Sequence, residues 1–201
     1  ALSYIIKDQR KFLIACISLV GVLTVLTFQR NRIYESKISL WEDIAKRPTT
    51  RTEVYLNLAE AYYSAGDWGK AIEAYTQVIA LDPRSDRAYS NRGLVFQQMG
   101  RHDLAMADYT AAVMLQAGDG AVYVNRGSLF QKMGKLDEAL ADYNHIIAEE
   151  PNNLNALNNR GSLYLQKGEL ALAQADFEKA VCINRDFAAG YINLGTVYHQ
   201  Q

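Results

Sequence analysis

Residues 52–85 read TEVYLNLAEAYYSAGDWGKAIEAYTQVIALDPRS, and the fold follows from how this stretch is punctuated. Tyr55, Leu58, Ala59 and Tyr62 recur at i, i+3, i+4 and i+7, which puts one apolar stripe along a helix. Ala65-Gly66-Asp67 breaks that helix, because glycine takes the left-handed cap conformation at no steric cost. Ala71, Ile72, Tyr75, Val78 and Ile79 draw a second stripe. Asp82-Pro83 ends it, since proline cannot continue a helix. The stretch therefore predicts two helices joined by a tight turn.

Outward from this stretch the pattern recurs without a slip. Asn57, Asn91, Asn125, Asn159 and Asn193 stand 34 residues apart, and Gly66, Gly100, Gly134 and Gly168 keep the same step. So do Ala71, Ala105, Ala139 and Ala173, and the rings Tyr75, Tyr109, Tyr143 and Phe177. A repeated hairpin leaves an apolar face that only the next hairpin covers, so such units stack into a solenoid. The units are 52–85, 86–119, 120–153 and 154–187, with a partial fifth at 188–201. Ala117 and Arg185 stand where Pro83 and Pro151 end the other hairpins, which predicts looser turns after repeats 2 and 4.

The 34-residue register resembles the tetratricopeptide-repeat (TPR) family over about residues 52–201. The resemblance implies an all-α, right-handed α-solenoid of helix hairpins whose first helices line a concave face. Before it, Ile33, Leu40, Trp41 and Ile44 share a helical face within the linker 29–51. Trp41 and Ile44 occupy second-helix positions, so about 36–46 reads as a degenerate half-repeat capping the array. At the other end Tyr191, Leu194, Gly195 and Tyr198 repeat the first-helix stripe with no second helix after them. Those apolar residues predict that the natural chain continues, and Ala1 implies a processed N-terminus or the edge of a fragment.

Residues 12–28, FLIACISLVGVLTVLTF, carry no charge and no proline. As a helix they span roughly 25 Å, short of a bilayer core of about 30 Å. The flanking Lys7, Arg10, Lys11, Arg30 and Arg32 have long stems that snorkel to headgroups. A cleaved signal peptide would be followed by small residues, not by Gln29-Arg30-Asn31-Arg32. The segment thus predicts a single transmembrane helix at 12–28 after a juxtamembrane segment 1–11, and a membrane localisation. Basic residues on both flanks leave the side of the repeat domain open. The linker also resembles the one after the last membrane helix of bacterial multi-spanning proteins with C-terminal TPRs, some of them glycosyltransferase-like. That implies an alternative: the C-terminal part of a larger multi-spanning enzyme whose catalytic region is absent here.

Chemistry is not prominent in the sequence. With 21 basic and 22 acidic residues the net charge is −1, which offers no general attraction to nucleic acid. Cys16 and Cys182 suggest neither a disulfide framework nor a metal site. His102, His145 and His199 occupy three different repeat positions and do not converge. No phosphate loop, nucleophile elbow or metal-spaced ligand set occurs. The chain therefore reads as a non-enzyme, with no cofactor, no metal, no nucleic acid and no small-molecule substrate.

One charged pattern stands out. Arg92, Arg126 and Arg160 lie in the string NRG, and Asp108, Asp142 and Asp176 follow sixteen residues later. Repeat 1 has Leu58 and Ala74 instead, and the partial repeat has Leu194. Pairing within a repeat leaves no orphan, whereas pairing with the preceding repeat sets Arg92 against Ala74 and Asp176 against Leu194. Three structural, partly buried salt bridges follow.

The resemblance also implies partner-binding positions on the concave face. They are Asn57, Glu60 and Tyr63 in repeat 1, and Arg87, Asn91, Leu94 and Gln97 in repeat 2. Repeat 3 supplies Val124, Asn125, Ser128, Gln131 and Lys132; repeat 4 supplies Asn158, Asn159, Ser162 and Leu165. The partial repeat adds Ile192, Asn193, Thr196 and His199. A carboxamide donates and accepts, so the asparagine column suits a ligand backbone whatever its side chains; it also suits bonds within the array. Arg87 and Lys132 are the only cations in the set, too few for a clamp on a terminal carboxylate. The expected function is a membrane-anchored interaction scaffold that binds a peptide or partner helix and helps assemble a membrane-associated complex.

Overall fold

The computed structural model describes residues 18, 20–23, 37–46, 51–115 and 120–201. Helix α1 (Lys37–Ala45) precedes four hairpins. These are α2 (Thr52–Ser64) with α3 (Trp68–Leu81), and α4 (Asp86–Gln98) with α5 (His102–Met114). Then come α6 (Gly120–Lys132) with α7 (Leu136–Glu149), and α8 (Leu154–Gln166) with α9 (Leu170–Ile183). Helix α10 (Ala188–Gln200) follows alone. Among the described residues there is no strand.

The hairpin turns share one hydrogen-bonding scheme. Gly66, Gly100, Gly134 and Gly168 have φ between 72° and 78°, the left-handed region that a side chain disfavours. The next residue's N–H reaches back five residues: Asp67 to the Tyr62 carbonyl (3.0 Å), Arg101 to Phe96 (2.9 Å), Lys135 to Phe130 (2.9 Å) and Glu169 to Tyr164 (2.8 Å). This closes the carbonyls that a helix end leaves open.

Between the two helices of a repeat a ring lies on a glycine. A Cβ on Gly93 would sit 2.9 Å from the Tyr109 ring, one on Gly127 2.7 Å from Tyr143, and one on Gly161 2.7 Å from Phe177. Repeat 1 has Ala59 there, packed in one cluster with Tyr75. Tyr75, Tyr109, Tyr143 and Phe177 are all buried. Successive first helices touch (α4 with α6, α6 with α8, α8 with α10), whereas second helices do not pack as closely on one another among the described residues. The side on which neighbours approach is the inside of the bend, so the first helices line the concave face.

The structure departs from the sequence reading at two places. The transmembrane expectation for 12–28, and the membrane localisation drawn from it, are overturned. Among the described residues no helix is long and apolar enough to cross a membrane. A span needs about 20 consecutive apolar residues, and within 12–28 the described helical positions are 18 and 20–23. The rest of 12–28, the segment 1–11 and most of the linker 29–51 outside α1 lie outside the described residues.

The turn after repeat 4 is also not loose. Asn184 Oδ1 accepts from the Asp186 N–H (2.9 Å) and the Asn184 carbonyl accepts from Phe187 (3.1 Å). These bonds match those of Asp82 with Arg84 (3.0 Å) and Ser85 (3.1 Å). The side-chain acceptor closes the turn, and the proline after it is dispensable. Residues 116–119, the turn after repeat 2, lie outside the described set.

Candidate peptide-binding groove

The first helices carry the groove positions at a fixed register, so their neighbours decide what each side chain is free to do. At the N-terminal end three hollows meet at Glu60. One, of about 650 Å³, lies between α1 and α2 and is lined by Ile38, Leu40, Trp41, Asn57, Glu60 and Ser64 among others. A second, of about 290 Å³, is lined by Glu60, Tyr63, Ser64, Tyr75, Asn91 and Leu94. The third, of about 480 Å³, is lined by Glu60, Asp86, Arg87, Ser90, Asn91 and Val122. The structure thus brings together Asn57, Glu60, Tyr63, Arg87, Asn91 and Leu94. It adds Trp41, Leu40 and Ile38 from α1, which the sequence reading had assigned to capping alone. The helical spacing of Leu40, Trp41 and Ile44, one 34-residue register before α3, was the available signal.

Charge in this region is largely internal. Arg87 Nη2 donates to Glu60 Oε1 at 2.5 Å across the boundary between repeats 1 and 2. Both side chains are exposed, so the pair is worth at most about 1 kcal/mol. It sets local charge complementarity more than stability.

Further along, the carboxamides tie the array to itself. Asn193 Nδ2 donates to Asn158 Oδ1 (2.8 Å), and Gln131 Nε2 donates to Gln166 Oε1 (3.1 Å), each linking adjacent first helices. The Tyr109 hydroxyl donates to Gln97 Oε1 (3.0 Å) and the Tyr143 hydroxyl to Gln131 Oε1 (3.3 Å). Asn91 eases the upward pKa shift of Tyr75 and Asn159 that of Tyr143, each from the repeat that follows the ring. Asn57 donates to its own helix at the Glu53 carbonyl (2.8 Å). Two members of the asparagine column, Asn57 and Asn193, are therefore already bonded inside the array. Asn125 is half-buried, while Lys132 and His199 are exposed. Leu165 packs against the Phe177–Leu194 cluster. Val124 does not belong to the groove: it is buried against Ile146 and Ala156, because its position on α6 faces α7 and α8.

Buried hydroxyls beneath the groove titrate late. Burial pushes Tyr75 up to about 12, and the negative charge of Glu60 adds to this. Tyr62 is likewise pushed up to about 12, first by burial and then by its hydrogen bond to Glu42 Oε1 (2.5 Å), which ties α2 to α1. Burial also raises Tyr109 and Tyr143.

The Arg–Asp pairs lie within repeats. Arg92 Nε and Nη2 donate to Asp108 Oδ2 and Oδ1, both at 2.8 Å. Arg126 makes the same fork to Asp142 (2.8 and 2.7 Å) and Arg160 to Asp176 (2.8 and 2.6 Å). The hydrogen bonds to aspartate raise all three guanidinium pKa values against a smaller opposing effect of burial. Arg92 stacks between Tyr89 and Phe96, and Arg126 between Tyr123 and Phe130, with guanidinium-to-ring distances of 5.7–5.9 Å. A third nitrogen reaches the preceding repeat: Arg92 to Thr76 Oγ1 (3.0 Å) and Arg160 to Asn144 Oδ1 (2.7 Å). With both carboxylate oxygens held by an arginine fork in each of the three, these pairs are internal struts.

Comparison with known proteins agrees with this architecture. Models described as TPR repeat and Tetratricopeptide repeat match residues 59–100, 86–119 and 124–191, together more than half of the chain. The small glutamine-rich tetratricopeptide repeat-containing protein 2 of Mycosarcoma maydis is 42% identical over 62 residues, covering 31% of this chain and 16% of that protein. Photosystem I assembly protein Ycf3 of Prochlorococcus marinus (strain MIT 9211) is 30% identical over 76 residues, covering 36% of this chain and 44% of that protein. The chain spans less than half the length of these curated relatives. Among solved structures, YrrB, described as a TPR protein with an unusual peptide-binding site, superimposes with a TM-score of 0.65 at 19% identity, covering 80% of this chain and 82% of that one. A 34-residue register, hairpins closed by left-handed glycines and three matching repeat models lead to one assignment: the chain belongs to the tetratricopeptide-repeat family, whose arrays mediate protein–protein interaction.

Proposed function

We propose that this chain is an interaction scaffold, not an enzyme, and that it holds an extended peptide or a partner helix on its concave face while helping a protein complex assemble. The observation that carries the reading is the run of three hollows meeting at Glu60, with apolar walls from Trp41, Leu40 and Leu94 and polar groups from Asn57, Asn91 and Arg87. Apolar pockets give affinity, and a few placed polar groups fix orientation. The N-terminal half is favoured because the carboxamides of the C-terminal half bond to one another. The role in assembly draws on the relative named as a photosystem I assembly protein.

The test is a selection of peptides from a displayed random library on the full chain. Hydrogen–deuterium exchange of the chain with the selected peptides then maps where they sit. Protection is expected along α2 and α4. Glu60→Ala combined with Leu94→Ala should weaken the peptides at least about tenfold, since each 1.4 kcal/mol is tenfold. The exposed second-helix changes Gln77→Ala and Glu138→Ala should leave binding intact. Protection along α3, α5 and α7, with binding indifferent to Glu60 and Leu94, would overturn the concave assignment.

A further inference from the structure

The hollow between α2, α4 and α6 holds polar groups that the array leaves unbonded. Ser90 is 8% exposed, yet among the described residues its hydroxyl has no hydrogen-bond partner. No side-chain polar atom among those residues is sealed from solvent without a partner, so the Ser90 hydroxyl stays open to the hollow it lines. Asp86 stands four residues earlier on the same face of α4 and lines the same hollow. It is half-buried, and among the described residues its carboxylate has neither a hydrogen bond nor an ion pair. A nearly buried polar group without a partner costs free energy that a ligand's donor would recover.

The other repeat boundaries show what the array does at these places. One register on, Glu60, Asp86, Arg87 and Ser90 correspond to Leu94, Gly120, Ala121 and Val124, which carry no charge. Val124 is buried against Ile146 and Ala156. Two registers on they correspond to Ser128, Leu154, Asn155 and Asn158, again uncharged, and Asn158 accepts from Asn193. The place of Ser90 is thus filled by an apolar side chain in repeat 3 and by a bonded carboxamide in repeat 4. In repeat 2 it holds a short hydroxyl facing about 480 Å³ of open space. Arg87 offsets Glu60 through their ion pair, so Asp86 leaves this lining one negative charge in excess. An aspartate in the first turn of α4 also complements the helix end, but that role leaves Ser90 unexplained.

We propose that the groove reads a basic side chain of its peptide, a lysine or an arginine, in this hollow; the inference rests on the concave reading above. The cationic head donates to the Asp86 carboxylate and to Ser90 Oγ, which accept what nothing in the array supplies. The neighbouring hollow shares Glu60 and Asn91 and is walled by Tyr63 and Leu94, so an apolar residue of the same peptide falls beside the basic one. The preferred ligand is therefore a segment that pairs one basic residue with one apolar residue. Its charge is opposite to that of a terminal carboxylate.

The test selects displayed random peptides in parallel on the full wild-type chain and on Asp86→Asn with Ser90→Ala, whose helicity is verified by circular dichroism. Hydrogen–deuterium exchange maps the winners of each selection. Wild-type winners that protect α2 and α4 should share a lysine or arginine at one position, and winners from the variant should not. A synthetic winner with norleucine at that position keeps the apolar stem without the charge. It should bind the wild-type chain about tenfold more weakly than its parent peptide, or 1.4 kcal/mol. On the variant the two peptides should bind alike. Should the double variant lose helicity, the nearly isosteric Asp86→Asn alone carries the comparison, with most of the norleucine loss abolished. Winners that protect α2 and α4 without a shared basic position would overturn the inference and leave the concave reading standing. So would a norleucine loss equally large on wild type and variant. Winners that protect neither helix would overturn both.

Discussion

Repeat 1 and repeats 2–4 fill the same two positions of the hairpin with different chemistry. In repeat 1 Leu58 and Ala74 are 7% and 5% exposed, and the contact is apolar. In repeats 2–4 the same places hold an arginine and an aspartate, with the carboxylates 7–8% exposed and fully forked. The backbone accepts both solutions, so neither is required by the hairpin. What differs is reach. Leucine ends at its neighbours, whereas the guanidinium stacks on rings of its own helix and, from Arg92 and Arg160, extends to Thr76 and Asn144 of the preceding repeat. A buried ion pair adds little net stability over a well-packed apolar pair, because desolvation consumes most of the attraction. Its return is in fixing how one repeat sits on the last.

Breaking one half of a pair should have the largest effect. Asp142→Ala leaves the Arg126 guanidinium mostly buried without its carboxylate, and should cost about 3–5 kcal/mol. The urea midpoint followed by circular dichroism reads this directly; an unchanged midpoint would show that the fork carries no energetic weight.

A smaller loss is expected from making repeat 3 resemble repeat 1 at its small-residue position. Gly127→Ala drives a Cβ to 2.7 Å from the fully buried Tyr143 ring. Overpacking of this kind costs about 1–3 kcal/mol, against a gain of about 1 kcal/mol in helix propensity. A net loss of about 1 kcal/mol should appear in the same assay. A stabilised variant would mean that the ring yields to the added methyl group.

The smallest change should come from transplanting the repeat 1 solution whole. Arg126→Leu with Asp142→Ala removes both charges and should stay within about 1 kcal/mol of the wild-type chain. If the double variant is as unstable as Asp142→Ala alone, packing around the pair, not an orphaned charge, accounts for the single loss.

The same contrast shows what a sequence exposes and what it conceals. The helices were legible because period and punctuation coincide: apolar stripes at helical spacing, with glycine every 34 residues. The Arg–Asp partners could be chosen because repeat 1 lacks both residues, a comparison internal to the chain. The absence of proline after Ile183 predicts a loose turn, but the side-chain acceptor, Asp82 or Asn184, is what closes these turns. Residues 12–28 read as a span from their apolarity, length and basic flanks, yet among the described residues no helix is long and apolar enough to cross a membrane. Val124 was placed in the groove by family position, but on α6 that side is covered by α7 and α8. The asparagines were ambiguous for a chemical reason. A carboxamide serves a ligand or a neighbouring helix equally well, and only coordinates show that Asn57 bonds the Glu53 carbonyl and Asn193 bonds Asn158.

The contact pattern carries one more consequence. Among the described residues the helices that pack together lie close in sequence, as far apart as first helices of adjacent repeats. Opening an internal hairpin therefore breaks two boundaries, while opening a terminal one breaks a single boundary. Unfolding should start as fraying, moving inward one hairpin at a time, unless something joins the hairpins beyond apolar contact. The bonds from Arg92 to Thr76 and from Arg160 to Asn144 are such joints. They add to the boundaries between repeats 1 and 2 and between repeats 3 and 4, so under a pull along the array the boundary between repeats 2 and 3 should part first.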